Sequence, residues 1–419
     1  MIKSKNKKVS FFEKVPHAIT LIFSIIILVT ALSYIVPAGT YERINLNGRS
    51  TVIPNSYKTI TSTPVNLLNM FKAIPLGFKA AAEIIFIVLA GGIMFGFMEK
   101  SKAIENAVGT LIKKLGLKRK YLIVVIITFI YGLLGVAVGL ENNIALVPIA
   151  AVISLALGGD LILGAGISVG SMIIGFGLSP INPYTVGIGH KLAELPMFSG
   201  ALLRSILCFV GLSTMAFYNV FYFKKLTSSP KKSLAFGLNT DNLNLSKPIN
   251  DYNINSNNRL IISVFILGLI VIIYGVFNLN WHINELSAIF LIISFLTGLI
   301  FKMDANTMSK TVLDSVAIAA PGAFMVGFAT TIKVLMEMGN IGDTISYQLS
   351  IILEGLPLHL SAICMSISQS IINFFIPSGS GQALATLPVM LPLGESLGLT
   401  RQICILAFQI GDGLTNLIN

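Results

Sequence analysis

Charge is the scarcest commodity in this sequence. Asp, Glu, Lys and Arg together make up 11% of its 419 residues, where a soluble globular chain carries about 25%, and the mean hydropathy is +0.83. That composition excludes a soluble enzyme and a disordered chain alike. Cysteine is rare too: Cys208, Cys364 and Cys404 each sit in an apolar stretch, which excludes a secreted disulfide scaffold; with no C-x-x-C spacing to suggest zinc or redox chemistry, they read as packed thiols. The sequence also lacks an H-E-x-x-H pair, a G-x-S-x-G elbow, an Asp-rich metal box and a G-x-x-x-x-G-K-[ST] phosphate loop. An intramembrane enzyme and an ATP-driven pump are disfavoured accordingly. Asp412 between two glycines resembles intramembrane aspartyl chemistry, but Gln409-Ile410-Gly411-Asp412 lacks the Gly-x-Gly-Asp spacing, and that chemistry needs two acids sharing a proton.

What is abundant is apolar sequence, 54% of the chain. Apolar windows near 18–36, 80–98, 199–223, 260–277, 285–301 and 312–336 read as transmembrane helices. The first follows a lysine-rich N-terminus; it exceeds the apolar region of a signal peptide and reads as a retained helix. Two longer apolar blocks, 120–157 and 358–395, are interrupted by the polar runs Gly139 to Asn143 and Pro377 to Gln382, which predicts helical hairpins with polar tips. The second arm of the first block rises only about 21 Å, short of the roughly 30 Å hydrocarbon core, so a re-entrant hairpin is expected. Segments 159–195 and 400–419 begin as helices and are expected to break, the first at Pro180 and Pro183, the second at Gly411 and Gly413. Freed backbone groups at membrane depth must face protein or a watery cavity.

Net charge is +11, from 29 basic and 18 acidic residues. Most of the basic residues fall before the first helix, between Lys100 and Lys120, and between Lys224 and Arg259. With the N-terminus cytoplasmic, all three clusters lie on the cytoplasmic side of a multi-pass cell membrane protein, and nucleic-acid binding need not be invoked. The expected organisation is an N-terminal segment, first helix and external loop (1–79), a first repeat (80–223), a polar cytoplasmic linker (224–258), two transmembrane helices (259–302) and a second repeat (303–419). The repeats share an order: spanning helix, mixed helix, polar-tipped hairpin, broken helix. They share local register as well, Ala145 to Pro148 opposite Ala385 to Pro388 and Gly177 to Asn182 opposite Gly411 to Asn416. The predicted fold is therefore an all-α polytopic membrane protein of two inverted repeats, each with a re-entrant hairpin and a broken transmembrane helix, the layout of a secondary transporter. A channel is disfavoured by the enclosed hairpins.

Glu141 and Asp412 are the two acids placed deepest, Asp412 roughly 18 Å into its helix. An ionised carboxylate there is costly unless paired or hydrated, which makes function the default. Asn142, Asn143, Asn182 and Asn416 offer amides to carboxylates and cations, Ser378, Ser380 and Gln382 add polar contacts, and Gly379 and Gly381 let backbone N–H groups approach a solute. A broken helix would also present its N–H groups to an anion and its carbonyls to Na⁺; Asn143, Asn182, Ser380 and Asn416 are the candidate Na⁺ ligands, with no firm metal site. The alternative for all of these is turn formation. Glu83, Arg204, Glu285, Asp314 and Lys333 read as interface anchors, and His190 as a structural hydrogen-bonder. No organic cofactor is expected; Na⁺ or H⁺ would be the coupling ion.

Val36-Pro37-Ala38-Gly39-Thr40-Tyr41, Asn182-Pro183-Tyr184-Thr185-Val186-Gly187, Leu195-Pro196-Met197-Phe198-Ser199-Gly200, Ile376-Pro377-Ser378-Gly379-Ser380-Gly381-Gln382-Ala383 and Ala407-Phe408-Gln409-Ile410-Gly411-Asp412-Gly413 span nearly the whole chain. They resemble the YfcC-like proteins, related to the anaerobic four-carbon dicarboxylate carriers and basic amino acid antiporters of the ion transporter superfamily. The resemblance implies an elevator-type carrier, often a homodimer, that moves an organic anion or amino acid. Two departures stand out. The family's first hairpin carries a Gly-Met-Ala-Glu-Glu-Thr pattern where this chain has Glu141-Asn142-Asn143, one carboxylate fewer. The family pattern also continues past Asn419 through a final spanning helix, so the second repeat is expected to be incomplete. The favoured substrate is an amino acid, a basic one of the arginine or ornithine type included, its ammonium on Glu141 and Asp412; a dicarboxylate moved with Na⁺ or H⁺ is the alternative.

Overall fold

The computed structural model describes residues 18–417, except 47–48, 54, 116–118, 139–146, 230–232, 236–250, 280, 354, 374–375 and 377–378. Among the described residues six helices are long and apolar enough to cross a bilayer. They are α3 (Ala82–Lys100), α5 (Lys120–Val138), α10 (Ala201–Ser228), α11 (Ser256–Leu279), α12 (Ile283–Ile300) and α13 (Ala305–Gly339). The helix α1 (Ala18–Ile35) is apolar as well. At 1.5 Å per residue α13 is roughly 52 Å long, well beyond a hydrocarbon core. Asp304 starts it by accepting from the Thr307 hydroxyl at 2.5 Å and the Thr307 N–H at 3.0 Å, bonds that hold its carboxyl below the usual carboxylate range. Asn340 ends it in the left-handed conformation, φ 50°, which Asn tolerates better than most residues.

Helix α13 is the hub of one packing group, with α3, α1 and the amphipathic α2 (Leu67–Ala80) against it and α12 against α3. A second group joins α5, α10 and α8 (Ser171–Gly177), with α6 (Val147–Ala156) and α7 (Leu161–Ala165) beside them. In the C-terminal part α15 (Leu358–Asn373), α16 (Gly379–Ser396) and α17 (Arg401–Thr415) pack together, and α17 meets α8. The mixed helices are α4 (Ala103–Leu115) and α14 (Gly342–Leu353).

The described residues between 36 and 66 form a strap with two small antiparallel pairs, β1 (Gly39–Thr40) with β4 (Lys58–Thr59) and β2 (Arg43–Leu46) with β3 (Arg49–Val52). Sequence periodicity does not reveal them, because two- and four-residue strands carry no pattern. The strap is fastened to the C-terminal part. Asp343 accepts from the Tyr41 N–H at 3.0 Å and pairs with Arg43 at 2.7 Å, Glu395 accepts from the Val52 N–H at 2.8 Å, and Tyr57 stacks on Tyr347 at 4.2 Å.

Three expectations need correction. The helix does not break at Gly411 and Gly413: α17 runs unbroken from its cap at Thr400 through both glycines to Thr415. Their lack of a side chain serves contact instead, Gly411 lying against the backbone of Ser366 and Ser370 and Gly413 against that of Gly177. The run Gly379 to Gln382 is the first turn of α16 rather than a loop. Arg204 is no interface anchor, being 3% exposed. The helices on either side of the expected first hairpin tip are unequal, α5 of 19 residues and α6 of 10; the tip itself, with Glu141, Asn142 and Asn143, lies outside the described residues. The described ends of the central linker are pinned, the Ser233 hydroxyl donating to Asp160 at 2.6 Å and the Tyr252 hydroxyl to Glu105 at 2.7 Å.

Candidate functional site

The segment after Asp160 runs as one helix, Leu161–Gly177, made of α7, a π-helical turn Gly166–Gly170 and α8; it is interrupted at 178–182 and resumes as a second π turn Pro183–Gly187 and α9 (Ile188–Leu192). Pro183 opens the second turn, where its missing N–H costs nothing. Asn182 caps that turn, its Oδ1 accepting from the N–H of Tyr184 at 2.8 Å and of Thr185 at 3.1 Å. The N–H groups expected to face an anion are thus taken up by the cap. The Asn182 amide nitrogen, fully buried, has no hydrogen-bond partner among the described residues.

Helix α17 brings the other side. Its Gly413 faces Gly177 at the end of α8, and a Cβ built on Gly413 would lie 2.1 Å from the Gly177 Cα. One turn earlier Gln409 reaches into the break, its Nε2 donating to the Ser179 carbonyl at 2.7 Å while its Oε1 accepts from Arg204 Nε at 2.9 Å. Arg204 Nη1 also donates to the Ser199 carbonyl at 3.0 Å and to Gln402 Oε1 at 3.2 Å. The Ser179 carbonyl in the break is therefore satisfied by protein, and a buried guanidinium anchors the residue that does it.

Asp412, on the Gln409 face of α17 at i+3, is fully buried. Asn373, the last residue of α15, donates through Nδ2 to the Asp412 carbonyl, and at 3.4 Å and 3.1 Å to Asp412 Oδ1 and Asn416 Oδ1. The Asp412 carbonyl is one of the four that a helix end leaves without an intrahelical partner, so Asn373 both finishes α17 and orients the acid. Gly379 completes the group: a Cβ there would lie 3.0 Å from Asp412 Oδ2 and 2.6 Å from Thr185 Cγ2. Asn182, Thr185, Gly379, Asn373, Asp412 and Asn416 thus form one polar cluster where the two halves of the chain meet.

Other predicted residues are placed differently. Gln382 is fully buried but spends its amide donor on Gln369, at 2.8 Å to the carbonyl and 2.7 Å to Oε1, fastening α16 to α15. Ser380 is buried beside it, Ser378 lies outside the described residues, and His190 is fully buried. Among the described residues no group of three His, Cys, Asp or Glu could hold a metal. Sequence reasoning missed Gln369, Asn373, Gln409 and the burial of Arg204. A signal existed: Gln369 and Asn373 stand i, i+4, and Gln409 and Asp412 i, i+3, on apolar helices, where amides on one face need a polar partner.

The Arg204 and Gln409 pairing carries a prediction. Gln409→Leu strands both the Ser179 carbonyl and an Arg204 N–H, and should cost on the order of 2–5 kcal/mol, more than Arg204→Met, which removes the buried charge along with its bonds. Apparent Tm in detergent reads the order of the two; the reverse order would show that Gln409 does not hold the break.

Several span-length apolar helices, an interrupted helix satisfied from within and a buried polar cluster define a multi-pass membrane protein of carrier type. The chain belongs to the DcuC family, the C4-dicarboxylate anaerobic carriers, whose model matches residues 15–419. It is 26% identical to YfcC of Escherichia coli (strain K12), provisionally described as a basic amino acid antiporter, over 96% of this chain and 87% of that protein. It is 23% identical to an uncharacterized protein of Haemophilus influenzae, over 98% and 89%. Its fold is similar to that of the Alcanivorax borkumensis YdaH transporter, with TM-score 0.69 and 16% identity, covering 96% of this chain and 88% of that one. It is also similar to Neisseria gonorrhoeae MtrF, described among antimetabolite efflux pumps, with TM-score 0.67 and 18% identity over 97% and 86%. The protein is a membrane transporter.

Proposed function

We propose that this transporter exchanges small carboxylate-bearing metabolites, with an amino acid, basic ones included, as its preferred substrate. The observation that carries this is Asp412: a fully buried carboxylate, oriented by Asn373, at the meeting point of the two halves. A carboxylate kept at such a point favours a cation, the ammonium of an amino acid or a coupling Na⁺ or H⁺. Asn182 and Asn416 supply amides for a carboxylate, and Glu141 is the second acid proposed for the site. The antiporter description of YfcC supports the same substrate class. The second reading, a four-carbon dicarboxylate moved with Na⁺ or H⁺, is favoured by the family description; Asp412 then serves the coupling ion.

Transport would follow an elevator-type alternating access built on inverted repeats at 80–223 and 303–419, joined by the linker 224–258 and a helix pair at 259–302. Support comes from matched packing, α5 on α8 in one half and α15 on α17 in the other. The proposal includes a cell membrane setting with the N-terminus cytoplasmic, and a homodimer.

The test is counterflow in proteoliposomes loaded with arginine or ornithine, then with succinate or fumarate, with and without a Na⁺ gradient. Uptake of a basic amino acid that requires loaded amino acid supports the first reading. Uptake of dicarboxylate alone, dependent on Na⁺ or pH, replaces it with the second.

A further inference from the structure

Away from the polar cluster, the end of α3 and the beginning of α13 enclose a cavity of about 540 Å³, within the range of small-ligand sites. Gly96 lets the helices close tightly at its inner end, backing onto Ser315; from there they part. The wall carries three ammonium groups, Lys100, Lys102 and Lys310, and two carboxylates, Glu99 and Asp314. Among the described residues none of the five is in an ion pair, although Lys310 and Asp314 stand i, i+4 on one helix, the spacing at which such pairs form. Lys102 is held with φ 52°, a left-handed conformation uncommon outside glycine. Both signs of charge are exposed in one concave place and left uncompensated by each other.

The same face of α13 changes character along its length. Lys310 and Asp314 are followed by Ile318, 72% exposed, then by the exposed Pro321, so a charged recess opens onto an apolar strip running toward the membrane interior. A simple anion has no use for the carboxylates or the strip, and a lipid with an anionic headgroup no use for the carboxylates. A ligand that uses all three carries a phosphate diester, an ammonium and an acyl chain. Basic pockets between transmembrane helices are known headgroup sites.

We propose that this cavity binds an ethanolamine-bearing phospholipid, Lys100 and Lys310 holding the phosphate, Glu99 and Asp314 the ammonium, and Ile318 the start of an acyl chain. The site shares no residue with the transport cluster and does not depend on the proposed substrate.

The experiment uses the full chain, purified and delipidated in detergent, with lipid retention counted by native mass spectrometry. Phosphatidylethanolamine, phosphatidylglycerol and phosphatidylcholine are offered separately, and soluble phosphoethanolamine as competitor. Phosphatidylethanolamine should be retained at one per chain above the background shared with phosphatidylcholine. That retention should fall about tenfold in the double variant Lys100→Gln/Lys310→Gln and again in Glu99→Gln/Asp314→Asn, each of which removes charge-assisted bonds. Ile318→Asn should weaken the lipid and leave competition by phosphoethanolamine unchanged. Equal retention of all three lipids, or retention unchanged in both double variants, would overturn the site. Preference for phosphatidylglycerol, lost only in the lysine variant, would overturn the ethanolamine assignment, and phosphoethanolamine binding as tightly as the lipid would replace a lipid site by one for a soluble phosphate ester.

Discussion

Gly413→Ala is expected to lower the apparent Tm sharply and to remove transport. The added Cβ would fall 2.1 Å from the Gly177 Cα and within 3.2 Å of two further Gly177 backbone atoms, so relief requires α17 and α8 to separate rather than one rotamer to turn. Overpacking of this kind costs about 1–3 kcal/mol and more where backbone is the obstacle. Gly342→Ala is the control, because its Cβ would meet nothing closer than Met336 Cβ at 3.9 Å; it sits at the start of α14, where exchanging glycine for alanine should stabilise by up to about 1 kcal/mol. Thermal unfolding of the two purified variants in the same detergent decides it. A Gly413→Ala protein as stable as the control would mean that α17 and α8 are not in contact as described.

Asp412→Asn should leave the protein folded and monodisperse yet cut exchange by about 30- to 5000-fold, the equivalent of roughly 2–5 kcal/mol for a buried charge partner. The substitution keeps the side-chain shape, and Asn373 still donates to the main-chain carbonyl that closes α17, so stability and transport are separable. Asn373→Ala should lose both, since it leaves that carbonyl orphaned at about 1–3 kcal/mol and frees the acid to reorient. Counterflow rates beside apparent Tm distinguish the two patterns. Unchanged exchange by the Asp412→Asn protein would remove Asp412 from the proposed site.

Much of the architecture was legible in advance because it follows from solvent physics. Runs of apolar residues near 80–98, 199–223, 260–277 and 285–301 become α3, α10, α11 and α12 with small shifts at their ends, since a bilayer demands about 20 apolar residues per crossing. The interruption at 178–182 was legible too, proline chemistry being local. Gly411 and Gly413 misled for the opposite reason. Glycine permits a break without compelling one, and whether it breaks a helix or admits a neighbour depends on what lies opposite, here Gly177, Ser366 and Ser370.

Composition and order along the chain by themselves determined that this protein lives in a membrane, where most of its span-length helices run, that one helix is interrupted by prolines, and that Asp412 is a buried acid demanding explanation. Those properties are one-dimensional: hydropathy, helix length and proline geometry act within a few turns of the residue that carries them. Only the tertiary structure decided that Arg204 is buried and tied through Gln409 to the Ser179 carbonyl, that α17 stays continuous, that the break's N–H groups are spent on Asn182, and that Asn373 orients Asp412. The Arg204–Gln409, Gln409–Ser179 and Asn373–Asp412 contacts join residues from different segments, more than 200 positions apart in the case of Arg204 and Gln409. Pairing of buried polar groups is set by proximity in space, and a sequence states which groups need partners without stating which ones they find.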